Sequence, residues 1–151
     1  MISVNIMVVE QNANDMSRHS EFIKEANLMN KQKITIWGRN FNLPIEYTGF
    51  PDENMTEEQR IAVDKLIDSM NDLTDSSGVE KYILKENGDD VGGKIDNIFK
   101  YVIPTALFAP IQRSKRIIAI LCDYRFDEEH GIAVVFENEK FKKVCPQDDV
   151  L

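Results

Sequence analysis

Residues 117–121 read Ile-Ile-Ala-Ile-Leu, an unbroken apolar run rich in β-branched side chains. It is too short for a buried helix and typical of a central strand. A central strand needs partners on both sides, and the neighbouring sequence supplies them. Residues 132–136 form a second apolar run, residues 105–110 have strand composition, and residues 141–144 follow a tight turn at Asn138-Glu139. The spacing predicts an antiparallel meander in the last third of the chain.

Upstream, Lys33-Ile34-Thr35-Ile36-Trp37 alternates like a strand, as do Phe41, Leu43, Ile45 and Tyr47. Gly38-Arg39-Asn40 between them predicts a hairpin turn, with Trp37 in the core. Pro44 predicts that the second strand lies at an edge or carries a bulge. Val4, Ile6, Val8 and Val9 suggest a further strand, and Phe22, Ile23, Ala26 and Met29 a helix over residues 17–27. The clearest helix starts at Thr56, where Gln59 can close a capping box. Its apolar stripe runs through Ile61, Ala62, Leu66, Met70 and Leu73. Val79, Tyr82 and Ile83 suggest another helix, from near Ser76 to before Gly88. Residues 95–102 carry helical spacing for a turn or two before Pro104. The expected fold is α+β: a mainly antiparallel sheet, made of the C-terminal meander and an N-terminal hairpin, with two to three helices on one face.

The 151 residues suit a single domain, 1–151, with a core that needs no metal or disulfide. A net charge of -8 argues against a dedicated nucleic-acid binder; it suits an acidic surface that keeps the protein dispersed, or a protein partner with a basic face. Cys122 and Cys145 sit in strand-like surroundings and are expected as buried free thiols. There is no basic leader and no apolar run of membrane-spanning length, so a cytoplasmic monomer or weak dimer is expected, without membrane association. No cofactor is implied.

Chemistry concentrates in Asp123-Tyr124-Arg125-Phe126-Asp127-Glu128-Glu129-His130-Gly131, between two predicted strands. Loops on a rigid sheet are where binding residues gather. Aspartate at position 127 and glycine at 131 suit a turn that re-enters the sheet. Tyr124, Arg125, Glu128, Glu129 and His130 are then the candidate protein-binding residues. A small metal-dependent or acid/base hydrolase using residues 123–130 is the alternative, since clustered carboxylates can hold a cation or share a proton. The spacing matches no calcium loop, and His130 lacks the companions of a zinc site, so no catalytic or metal residue is assigned. A structural oligomerisation module is the third possibility. Gly88-Asp89-Asp90-Val91-Gly92-Gly93 lacks the pattern of a phosphate loop. Arg113, Lys115 and Arg116, like Lys140, Lys142 and Lys143, are expected to balance acidic neighbours.

The meander resembles an uncharacterised bacterial domain family. The likeness rests on Phe126-Asp127-Glu128-Glu129-His130-Gly131-Ile132-Ala133-Val134-Val135-Phe136, then Val144 and Gln147-Asp148. Tyr47, Gly49 and Thr56-Glu57-Glu58-Gln59 extend it upstream, while Glu128 and Cys145 depart from the pattern. Some related families lie beside polymorphic toxin systems and are regarded as immunity proteins. The resemblance implies no catalytic residue, cofactor or substrate. It implies that the acidic stretch can be a fold signature closing a hairpin, and it favours an accessory, immunity-like protein-binding role.

Overall fold

The computed structural model describes residues 31–49, 53–69 and 73–151. The strand expected at residues 4–9 and the helix expected at residues 17–27 lie outside them. Among the described residues, six strands form one sheet in chain order: β1 (Lys31–Ile36), β2 (Arg39–Tyr47), β3 (Val102–Ala109), β4 (Ile117–Tyr124), β5 (Ile132–Glu137) and β6 (Lys140–Pro146). Every neighbouring pair is antiparallel except β2 and β3, which run parallel with Ile45 beside Leu107. A parallel pair cannot be closed by a tight turn. The long connection between these two strands carries both described helices, α1 (Glu57–Asp68) and α2 (Ser77–Asn87).

Both helices lie on one face of the sheet. Helix α1 buries Ala62, Val63 and Leu66, and α2 buries Val79 and Ile83. These join Ile36, Ile45, Leu107, Ile120, Val134 and Phe136 in the main core. Alternate residues of the inner strands, Ala106, Phe108, Ala119, Leu121, Ala133 and Val135, form a second buried cluster. The apolar run at 117–121 is therefore continuous because both of its faces are buried. Leu121 pairs with Ala133 and Val134 with Ile120, so Leu121 and Val134 occupy opposite faces.

The start of α1 is tied to the sheet through one side chain. Thr56 accepts from the Gln59 backbone N–H at 3.1 Å, and Gln59 Oε1 accepts from the Thr56 N–H at 2.8 Å, closing the capping box. Gln59 is also fully buried. Its Nε2 donates to the carbonyl oxygens of Thr48 and Ala109, both at 3.0 Å. Those carbonyls lie just past β2 and at the end of β3, so one amide joins a helix cap to the parallel pair.

Three local expectations are corrected. The β1–β2 turn is Trp37-Gly38, one residue earlier than the glycine suggested, with φ of +51° and +81°. Tryptophan rarely takes a left-handed backbone. Here its N–H donates to Leu73 O at 2.8 Å and its ring packs 5.9 Å from Phe99, which together hold the turn. Trp37 is half-buried against the core. Pro44 lies in neither an edge strand nor a bulge. It sits just before the β2–β3 ladder begins at Ile45, where its missing N–H removes no pairing. Residues 95–102 supply only a 3-10 turn at Ile98–Lys100, after which Val102 already belongs to β3. Pro104 sits inside that strand, at a register shift before Ala106.

Candidate functional site

Strand β4 continues to Tyr124, and Ile132 opens β5. The connection is built on backbone bonds. Asp127 N–H donates to Tyr124 O at 3.1 Å, and Gly131 N–H donates to Asp127 O at 2.9 Å. The Asp127 carboxylate accepts from the His130 N–H at 3.2 Å, and its Oδ1 lies 3.0 Å from His130 Nδ1. Gly131, at φ +65°, turns the chain into β5 beneath the side chain of Gln147. Gln147 Nε2 donates to Cys122 O at 3.0 Å, linking the turn to the C-terminal segment.

Asp123, Arg125, Glu128, Glu129 and His130 are exposed, and only Asp127 and His130 pair. Among the described residues, no group of three or more His, Cys, Asp or Glu side chains is placed to hold a metal ion. Tyr124 does not belong to the surface set. It is 3% exposed because its side chain shares the inner face with Ile120 and Cys122. Its hydroxyl donates to Asn87 Oδ1 at 2.6 Å, and burial pushes its pKa up to about 12. Phe126 packs edge-on against Tyr124 and stacks with Tyr101, which fixes the turn from below.

Acidic groups from other elements surround this end of the sheet. The half-buried Tyr82 of α2 has its pKa raised by burial first, and then by Glu86, Asp127 and Asp149 among other groups. His130 has its pKa raised chiefly by the bond to Asp127, with Glu129 and Asp148 adding to it. Sequence reasoning missed Tyr82, Asn87, Asp148 and Asp149, because only the packing of α2 and the C-terminus beside β5 and β6 brings them here. Tyr124 had a signal: period-two alternation from Ile120 places it inward.

The two cysteines are free and buried. Cys122 belongs to the helix-side core and Cys145 to the opposite face, so neither can bridge the other or join His130. Burial raises the pKa of both thiols. Each basic cluster meets carboxylates through some of its members. Lys115 and Lys142 both meet Glu137, and Arg116 grips Glu139 with two bonds. Asp89 and Asp90 sit in the turns that end α2, where Gly93 N–H donates to Gly88 O. A cleft of about 620 Å³ lies elsewhere, among β1, β2 and the chain around Leu73. No residue of the β4–β5 turn lines it. Among the described residues, no helix is long and apolar enough to cross a membrane.

Two expected results follow from this geometry. Asp127→Ala should destabilise the fold by about 1–2 kcal/mol through the lost turn bonds, whereas Glu128→Ala should stay within about 0.5 kcal/mol. Urea unfolding of the two variants checks the asymmetry. His130 should titrate above the ordinary histidine value, and Asp127→Asn should bring it down; NMR titration of the ring reads both. A raised folded value means that the charged pair stabilises the fold at low pH. That contribution fades as pH rises through the folded pKa. The stability difference between the protein and its His130→Ala variant should therefore shrink from pH 5.5 to pH 8.5, values about one to two units either side of an unperturbed histidine.

The model of a family described as "Domain of unknown function (DUF6985)" matches residues 18–151. No curated protein and no solved structure matches the chain.

Proposed function

We propose, for a chain that belongs to the domain-of-unknown-function family DUF6985, a non-enzymatic role: it contacts another protein through the β4–β5 turn. The observation that carries this reading is the division of labour within the turn. Asp127 and Gly131 hold the backbone, while Arg125, Glu128, Glu129 and His130 project into solvent. A rigid turn that spends few of its charged groups internally presents them in fixed positions, which lowers the ordering cost of binding. Tyr82 gives the neighbouring surface a half-buried aromatic ring among carboxylates, a composition suited to a basic partner. Occupying a partner in this way is how an immunity-like accessory domain acts, and the reading includes that role. The hydrolase alternative would draw on the one close pair in this stretch, Asp127 with His130; the protein-contact reading draws on the exposed Arg125, Glu128 and Glu129 beside it.

The test is charge reversal. Glu128→Lys with Glu129→Lys should leave the unfolding midpoint within about a degree, because both side chains are solvent-exposed. The same pair of changes should weaken the partner complex by about tenfold or more, and mostly through slower association. Partner affinity that is unchanged in a folded double variant would remove the turn from the interface.

A further inference from the structure

We propose that the outer edge of β1 is a second docking site, which takes an extended peptide with acidic and apolar side chains in alternation. The backbone sets the first half of the argument. Trp37-Gly38 is a two-residue turn, so the flanking Ile36 and Arg39 exchange both hydrogen bonds, as do Ile34 with Phe41 and Gln32 with Leu43. Lys31, Lys33 and Thr35 occupy the intervening positions, and their N–H and C=O groups point away from β2. Among the described residues no strand lies beyond β1. The N–H groups of Lys33 and Thr35 carry no hydrogen bond there, and the Lys33 carbonyl accepts only from its neighbour Gln32. An added strand can use these groups directly.

Side chains set the second half. The cleft of about 620 Å³ is lined by three consecutive β1 residues, Lys33, Ile34 and Thr35, and by Phe41, Ile67 and Leu73 among others. A strand laid along this edge alternates its side chains between two faces. One set lies on the helix side, where Ile34 and Leu73 are buried but Phe41 and Ile67 are only half-buried, and should be apolar. The other set lies beside Lys31 and Lys33, which are exposed and have no ion pair among the described residues. That set should be acidic. Edge lysines ordinarily ward off pairing. Here they do so against a second copy: antiparallel self-pairing about Lys33 would set that ammonium against its twin, and like charges directly opposite repel. The same two charges attract carboxylates. This site is separate from the β4–β5 turn and stands or falls independently of it.

Labelled short peptides test the proposal on the full chain. An alternating Glu-Val peptide should bind saturably by fluorescence anisotropy, with its largest amide shifts at Lys33 and Thr35 in NMR spectra. Methylation of alternate peptide amides should weaken binding by about tenfold or more, since it removes the ladder bonds. Thr35→Pro should abolish it, at a position where an outward N–H makes proline tolerable. Lys33→Glu should reverse the preference toward an alternating Lys-Val peptide, and this variant keeps the test open if Thr35→Pro does not fold. Three results would overturn the proposal. One is Glu-Val binding unchanged by Lys33→Glu. Another is strong hydrogen-exchange protection of the Lys33 and Thr35 amides in the free protein, which would mean that the chain already occupies its own edge. The third is a concentration-dependent dimer lost in Thr35→Pro, which would assign the edge to a second copy.

Discussion

Gln59→Leu should lower the free energy of unfolding by about 3 kcal/mol, from two carbonyls that each lose a donor and from the lost helix cap. Leucine has similar bulk, so the cost comes from hydrogen bonding more than from packing. The Thr48 and Ala109 carbonyls each lose a 3.0 Å donor, and the Thr56 N–H loses the acceptor that closes the capping box. The Ala109 carbonyl also accepts from the Thr48 N–H, so the end of the β2–β3 pair is directly affected. Glu at the same position would keep the cap but place a charge at a site with no solvent access. It should be at least as damaging as Leu, because an uncompensated buried charge is strongly disfavoured. Urea unfolding of the two variants decides. A loss below about 1 kcal/mol for Gln59→Leu would mean that water replaces the amide and that the link between cap and sheet is weak.

Gly131→Ala should cost about 3 kcal/mol, and Gly92→Ala only about 1 kcal/mol, although both glycines have nearly the same positive φ. The backbone penalty for a left-handed alanine is common to both. The difference is space. A Cβ at Gly131 would lie 2.5 Å from Gln147 Nε2 and 2.6 Å from the Cys122 carbonyl oxygen, whereas one at Gly92 meets nothing within 4 Å. Gln147 can swing away only by giving up its bond to that carbonyl, and the carbonyl itself is fixed in the β4–β5 ladder. Equal costs for the two substitutions would show that the turn relaxes around the new methyl group, and the rigid presentation of residues 125–130 would lose its basis.

The meander was legible because its strands are short apolar runs separated by turn residues, and each pairs with its sequence neighbour. The capping box at Thr56 and Gln59 was equally legible, since it depends on residues three apart. The parallel β2–β3 pairing was not, because it joins residues about sixty positions apart and no local pattern encodes that. The Trp37-Gly38 turn begins one residue before the position that glycine, the usual marker of positive φ, suggests. Trp37 is held there by contacts to Leu73 and Phe99, which are distant in sequence. At the candidate site, the backbone roles expected of Asp127 and Gly131 follow from residue type and position alone. Tyr124 belongs to a charged stretch that suggests the surface, whereas strand alternation puts it inside. The acidic surroundings of Tyr82 could not be read from sequence, since Glu86, Asp127 and Asp149 come together only through packing.

The central claim is that the β4–β5 turn is the contact surface. Site-specific photo-crosslinking tests it most directly, with the reactive group placed at position 128 in one variant and at position 96, on the loop before β3, in another. Both positions are exposed, so neither label should disturb the fold. In the protein's native cells, position 128 should give a discrete crosslinked product that disappears when Glu129→Lys is added, and position 96 should give none. Equal yields from both positions, or a product at 128 that is indifferent to Glu129→Lys, would contradict the account.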